Sequence, residues 1–179
     1  MARMVIDGYG QVELNNVAFR RDGRIEAQCA LDTSDFASVP AENGMILRVK
    51  KADHKICFCD DAAENQLYAL NYSAEHLYDE RNPGLKNFKL NATNDFLPRV
   101  GYLAAGDLWT TNCVDLGSFA SAGAVAAALT NSVVYAAAGT QGAAVLTNAA
   151  PSVGPVMQVI KKTTMPDGQD AFQFQVLAV

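Results

Sequence analysis

Few side chains in this 179-residue chain are equipped for chemistry. Four cysteines, Cys29, Cys57, Cys59 and Cys113, and two histidines, His54 and His76, are the candidates for nucleophile, base or metal ligand. Cys57 and Cys59 form Cys-x-Cys in "KICFCDD". Residues two apart share one face of a strand, and a disulfide between them would be strained. Zinc sites favour Cys-x2-4-Cys pairs with partners at matching spacing. Cys29 and Cys113 stand alone and neither histidine has ligand-like spacing, so buried thiols of a protein made in a reducing cytoplasm are expected. A nucleophile–base–acid set needs histidine beside Ser or Cys. His54 lies in the turn-like "KKADHKIC", His76 in an irregular tract, and no Gly-x-Ser-x-Gly elbow occurs. "DGYGQ" and "GTQG" are too short for a phosphate cradle. Asp60-Asp61 and Asp79-Glu80 lack a calcium-loop frame and read as solvated charge. The expectation is no catalytic residue, no cofactor and no metal.

Bulk properties narrow the classes further. Half the residues are apolar and 18% are charged, which suits a folded protein. The net charge of −5 argues against a broad nucleic-acid or anionic-membrane surface. The basic clusters Arg20-Arg21 with Arg24, Lys50-Lys51 and Lys161-Lys162 each adjoin a turn signal and read as solvated loop edges. "MARMVIDGYGQ" lacks the apolar core of a secretory signal. Leu116 to Ile160 holds no charged residue, yet polar residues, Gly and Pro interrupt it throughout. Apolar runs such as Ala124–Leu129 fall far short of the ~20 residues that span a membrane.

The elements are read from periodicity. Val12, Leu14, Val17 and Phe19 precede Arg21-Asp22-Gly23-Arg24, and Ile25, Ala27, Cys29 and Leu31 follow in alternation, which predicts a hairpin on Asp-Gly. Asn15-Asn16 marks a bulge or an earlier turn. "DTSDFASVPAENG" is a loop, and "MILRVKK" and "KICFC" form a second strand pair. "SAEHLYDE" has room for one or two helical turns. "RVGYLAAGDLWTTNCVDLG" carries a Gly106-Asp107 turn and a β-prone run. Two short strands flank Gly139-Thr140-Gln141-Gly142. "ASAGAVAAALTNS" reads as a short helix or irregular insert. The last hairpin turns on Met165-Pro166-Asp167-Gly168-Gln169, with Phe172, Phe174 and Val176 opposite Gln173 and Gln175. The predicted fold class is mainly β: a sandwich or small barrel of short antiparallel strands, with an irregular segment and room for one short helix. Residues 1–97 are read as β-hairpins plus the irregular segment, and residues 98–179 as a compact β part packed with them as one unit. Residues 1–10 are either an arm or a first strand.

"PRVGYLAAGDLWTTN", "GPVMQVIKKTTMPDGQDAFQFQVL" and, more loosely, "GYGQVELNNVAFRRDGRIEAQC" together resemble small structural proteins of tailed bacteriophages. The resemblance covers about half the chain and rests on strand-and-turn patterns, not reactive sites. It implies a non-enzymatic decoration (cement) protein on the outside of a virion, made in the host cytoplasm. The implied partners are the major capsid protein and copies of itself, with no direct nucleic acid and no membrane. Such a protein needs a rigid β module, and many weak contacts suffice on a symmetric lattice. Met1, Met4, Val5, Ile6, Tyr9, Trp109 and Tyr135 are the expected contact residues, and the uncharged stretch is either a contact surface or core with neutral loops. The alternatives are a tail or head–tail junction protein, a soluble ligand- or glycan-binding module, and a hydrolase using His54 or His76.

Overall fold

The computed structural model describes residues 9–26, 29–50, 52–59, 67–73, 90 and 97–179. Among these residues it is mainly β, two sheets packed face to face with two short helices, and it does not close into a barrel. The sandwich alternative therefore holds and the small barrel does not.

The larger sheet has the order β1-β7-β12-β11-β9-β10-β8. Its strands are β1 Val12–Asn16, β7 Leu108–Thr111, β8 Val114–Asp115, β9 Tyr135–Ala138, β10 Ala144–Thr147, β11 Val156–Thr164 and β12 Asp170–Ala178. The smaller sheet, in the order β2-β6-β5-β3-β4, is built from β2 Ile25–Glu26, β3 Ile46–Val49, β4 Ile56–Cys57, β5 Tyr68–Asn71 and β6 Val100–Tyr102. The two parts read from the sequence interleave: β1 pairs with β7 in the larger sheet, and β6 pairs with β2 and β5 in the smaller.

Alternation assigns the faces. Phe172, Phe174 and Val176 of β12 are buried, with Gln173 and Gln175 half-buried between them. They meet Ile46, Tyr68 and Leu70 of the smaller sheet around Trp109, Met157 and Phe19. The next residues along the smaller sheet, Leu47, Val49, Ala69 and Val100, face a second core with Leu31, Phe36 and Met45. This sheet is covered on both sides, which is why "MILRV" and "LYALN" read as nearly continuous apolar runs.

The expected hairpin on Arg21–Arg24 does not form. Ala18–Asp22 is a short helix, α1, and Gly23 caps it at φ 71° in the left-handed region. Both a hairpin turn and a helix C-terminus call for a glycine at positive φ, so Asp-Gly did not distinguish them. Tertiary contacts decide: the buried Asp107 carboxylate accepts from the Ala18 amide at 2.6 Å, and Phe19 lies on Gly101 where no Cβ intervenes. The strands on either side, β1 and β2, enter different sheets.

The other readings fare better. β3 and β4 pair, β9 and β10 pair across Gly139–Gly142, and β11 and β12 form the long closing hairpin with Gly168 at φ 87°. The β1 register shifts between Glu13 and Asn16, which favours the bulge over the earlier turn of the two alternatives at the Asn pair. Ala122–Ala128 is helical (α2), capped by the Ser121 hydroxyl, which accepts from the Ala124 amide at 3.1 Å. "SAEHLYDE" and His76 lie outside the described residues.

The smaller sheet is strongly curled. Glu26 pairs with Val100 at one edge, while Leu31 bridges Ile56 at the other, with the Ile56 amide donating to Ala30 and its carbonyl accepting from Asp32. Were the sheet flat, a segment beyond β4 would lie five strand spacings, ~24 Å, from β2. The five residue steps from Glu26 to Leu31 reach only ~18 Å. The sheet bends until its two edges draw near each other.

Candidate interaction surface

The larger sheet offers two different ends. At the β1 end, residues 9–16 are tied down as an edge strand. The Gln11 amide donates to Asn112 Oδ1 at 2.6 Å, Asn112 Nδ2 donates to the Tyr9 carbonyl at 2.9 Å, and Thr111 Oγ1 donates to the Gln11 carbonyl at 2.6 Å. The Gln11 side chain also donates to Asp167 in the turn of the closing hairpin. With its Gln169 and Gln11 contacts, the Asp167 carboxyl sits below its ordinary range. Between this strand, α1 and the hairpin turn lies a cleft of about 900 Å³ whose wall includes Tyr9, Tyr72, Glu13, Arg20, Arg99 and Asp167. Two tyrosines, two cations and two anions suit reversible binding of a polar ligand or peptide segment.

At the opposite end, topology gathers the uncharged stretch. Leu116–Ile160 supplies α2, β9, β10 and the first half of β11, which lie side by side next to the edge strand β8. Alanines fill this end: Ala136 and Ala144 are buried, Ala137 and Ala138 partly so. Val133 and Val153 remain 43% and 54% exposed. The stretch itself adds no charge to this end of a protein of net charge −5, although β8 beside it carries the exposed Asp115.

The expected contact residues divide. Tyr9 lines the cleft, and Tyr135 is half-buried in β9 at the β8 end. Trp109 is fully buried in the sheet interface, 5.9 Å from the Phe174 ring, so it is a core residue with no surface to present. Met1, Met4, Val5 and Ile6 lie outside the described residues. The cleft residues Asn43, Tyr72 and Arg99 had no sequence signal, because they converge from separate segments.

The thiols are poor nucleophiles. Burial pushes Cys57 up to about 11 and Cys113 up to about 12. Both stay protonated at neutral pH, and only the thiolate attacks. Cys59 donates to the Ile46 carbonyl at 3.4 Å, a core contact. His54 stands exposed on the β3–β4 turn with Glu26 beside it at 3.3 Å. Lys50 pairs with Asp32 and Asp53, and Arg20 and Arg21 occupy the last turn of α1, where the helix dipole favours cations.

No protein-family model, no curated protein and no solved structure matches this chain.

Proposed function

We propose that this chain is a non-enzymatic virion structural protein that decorates a phage capsid and stabilises it by bridging neighbouring capsid subunits. The observation that carries the reading is the gathering of the uncharged Leu116–Ile160 stretch at one end of a stiff two-sheet block. Neutral side chains give up little hydration when covered, and the cores of protein interfaces are depleted in charge. The resemblance of "PRVGYLAAGDLWTTN" and the closing hairpin to small phage structural proteins points the same way. Each contact can be weak, because attachment is summed over many copies on a symmetric shell.

The test is assembly of particles with and without the protein. The protein should co-sediment with preformed capsids and raise their resistance to heat. Unchanged particles, or a protein left wholly in the supernatant, would remove the proposal. A second reading, a soluble ligand- or glycan-binding module, is favoured by the presence of both Tyr9 and Tyr72 in the wall of the concave cleft. It predicts saturable glycan binding that changes tyrosine fluorescence and is lost in Tyr9→Ala, with no capsid required.

A further inference from the structure

The curl of the smaller sheet brings together three side chains that sequence spacing kept apart. Glu26 lies in β2, Cys29 just beyond it, and His54 on the β3–β4 turn. Their ligand atoms all lie within 4.8 Å of one another. Glu26 Oε2 is 3.3 Å from His54 Nε2 and 4.0 Å from Cys29 Sγ. We infer that Glu26, Cys29 and His54 form a binding site for a zinc-class divalent cation, which clips the β3–β4 turn to β2.

Geometry and donor chemistry carry this. With metal–oxygen and metal–nitrogen bonds of ~2.0 Å and a metal–sulfur bond of ~2.3 Å, neighbouring tetrahedral ligands sit ~3.3–3.5 Å apart. The carboxylate–imidazole edge already has that separation; the sulfur must close on the carboxylate by about half an ångström, and on the imidazole, which lies within 4.8 Å, by up to about 1.3 Å. A sulfur, an imidazole nitrogen and one carboxylate oxygen select zinc or cobalt over calcium or magnesium, which want oxygen alone. The other carboxylate oxygen is engaged: the Tyr102 hydroxyl donates to Glu26 Oε1 at 3.1 Å. That bond turns Oε2 toward His54 and Cys29, the orienting role that outer hydrogen bonds play at metal centres. His54 is well exposed, which leaves the fourth position to water or to a side chain of a bound partner. Burial, then the Glu26 charge, raises the Cys29 thiol above its ordinary value, so binding exchanges the S–H proton, released to solvent, for the S–metal bond. The proposed site departs from the sequence expectation of no metal, which considered only spacing along the chain.

Cobalt(II) titration of the metal-free full-length protein tests the inference. One equivalent should give a sulfur-to-cobalt charge-transfer band with the visible bands of a tetrahedral ion, and zinc should abolish both. Cys29→Ser should lose the charge-transfer band, and His54→Ala should weaken binding at least ~10-fold. Tyr102→Phe should weaken it by ~10-fold through loss of the orienting bond, and Cys113→Ser should leave binding unchanged. No band at stoichiometric cobalt, a band retained in Cys29→Ser, or wild-type affinity in His54→Ala overturns the site. His54 is on an exposed turn, so its variant decides the matter if Cys29→Ser does not fold.

Discussion

Asp107 illustrates how much one side chain organises. It is almost fully buried, yet its two oxygens are both used: Oδ1 accepts from the Ala18 amide at 2.6 Å and Oδ2 from the Ala104 amide at 2.8 Å. It thereby caps α1, whose own N-cap residue Val17 has no side chain to do so. Asp107→Ala should cost ~1–3 kcal/mol in urea unfolding, since one buried and one part-buried amide lose their acceptor. Asp107→Asn, which keeps one acceptor oxygen, should cost less. Asp32 makes a pH prediction. Hydrogen bonds from the Ser34 hydroxyl and amide, helped by Lys50 and Lys55, hold its carboxyl down to about 2. Its pKa is lower folded than unfolded, so the stabilisation is present above pH ~4 and lost as pH falls toward the folded value. Ser34→Ala should raise the Asp32 midpoint in a carboxyl NMR titration. It should also lower stability at neutral pH, while the difference from wild type shrinks near pH 2.

At the scale of elements, α2 and the edge strands are the informative pieces. α2 buries one residue completely, Val125, against the larger sheet. Val125→Ala should cost about 2 kcal/mol through lost methyl burial and the space left behind. Ser121→Ala should cost ~1 kcal/mol, because only the N-cap bond is removed. Comparing the two by chemical denaturation separates packing from capping. β11 raises a different point. Beyond Val159 it has β12 on one side and, among the described residues, no strand on the other. Lys161 and Lys162 sit on this stretch, and lysine on an open strand edge discourages unwanted pairing with other chains.

Over the whole molecule, the larger sheet is asymmetric, with a cleft of mixed charge at the β1 end and the uncharged Leu116–Ile160 stretch beside β8 and its Asp115 at the other. The decoration proposal assigns capsid contact to the β8 end. Val133→Glu and Val153→Glu place charge at exposed positions, so folding should be unaffected by circular dichroism. Capsid co-sedimentation should nevertheless fall sharply, because each carboxylate would be desolvated without a partner. Retention of full binding by the double variant would move the contact elsewhere.

The sequence by itself determined the strand class, the closing hairpin and the β3–β4 and β9–β10 pairs, and at Ala122–Ala128 it offered a short helix as one of two alternatives. These follow from local rules: alternation, turn glycines at positive φ and alanine propensity act over a few residues. Tertiary structure alone decided that Asp22-Gly23 ends a helix and that the cleft and the Glu26–Cys29–His54 cluster exist. The reason is physical: a left-handed glycine fits either a hairpin or a helix end, and only Asp107 and Phe19 select between them. Likewise, no spacing rule connects Glu26 to His54, because their proximity is made by the bending of a whole sheet.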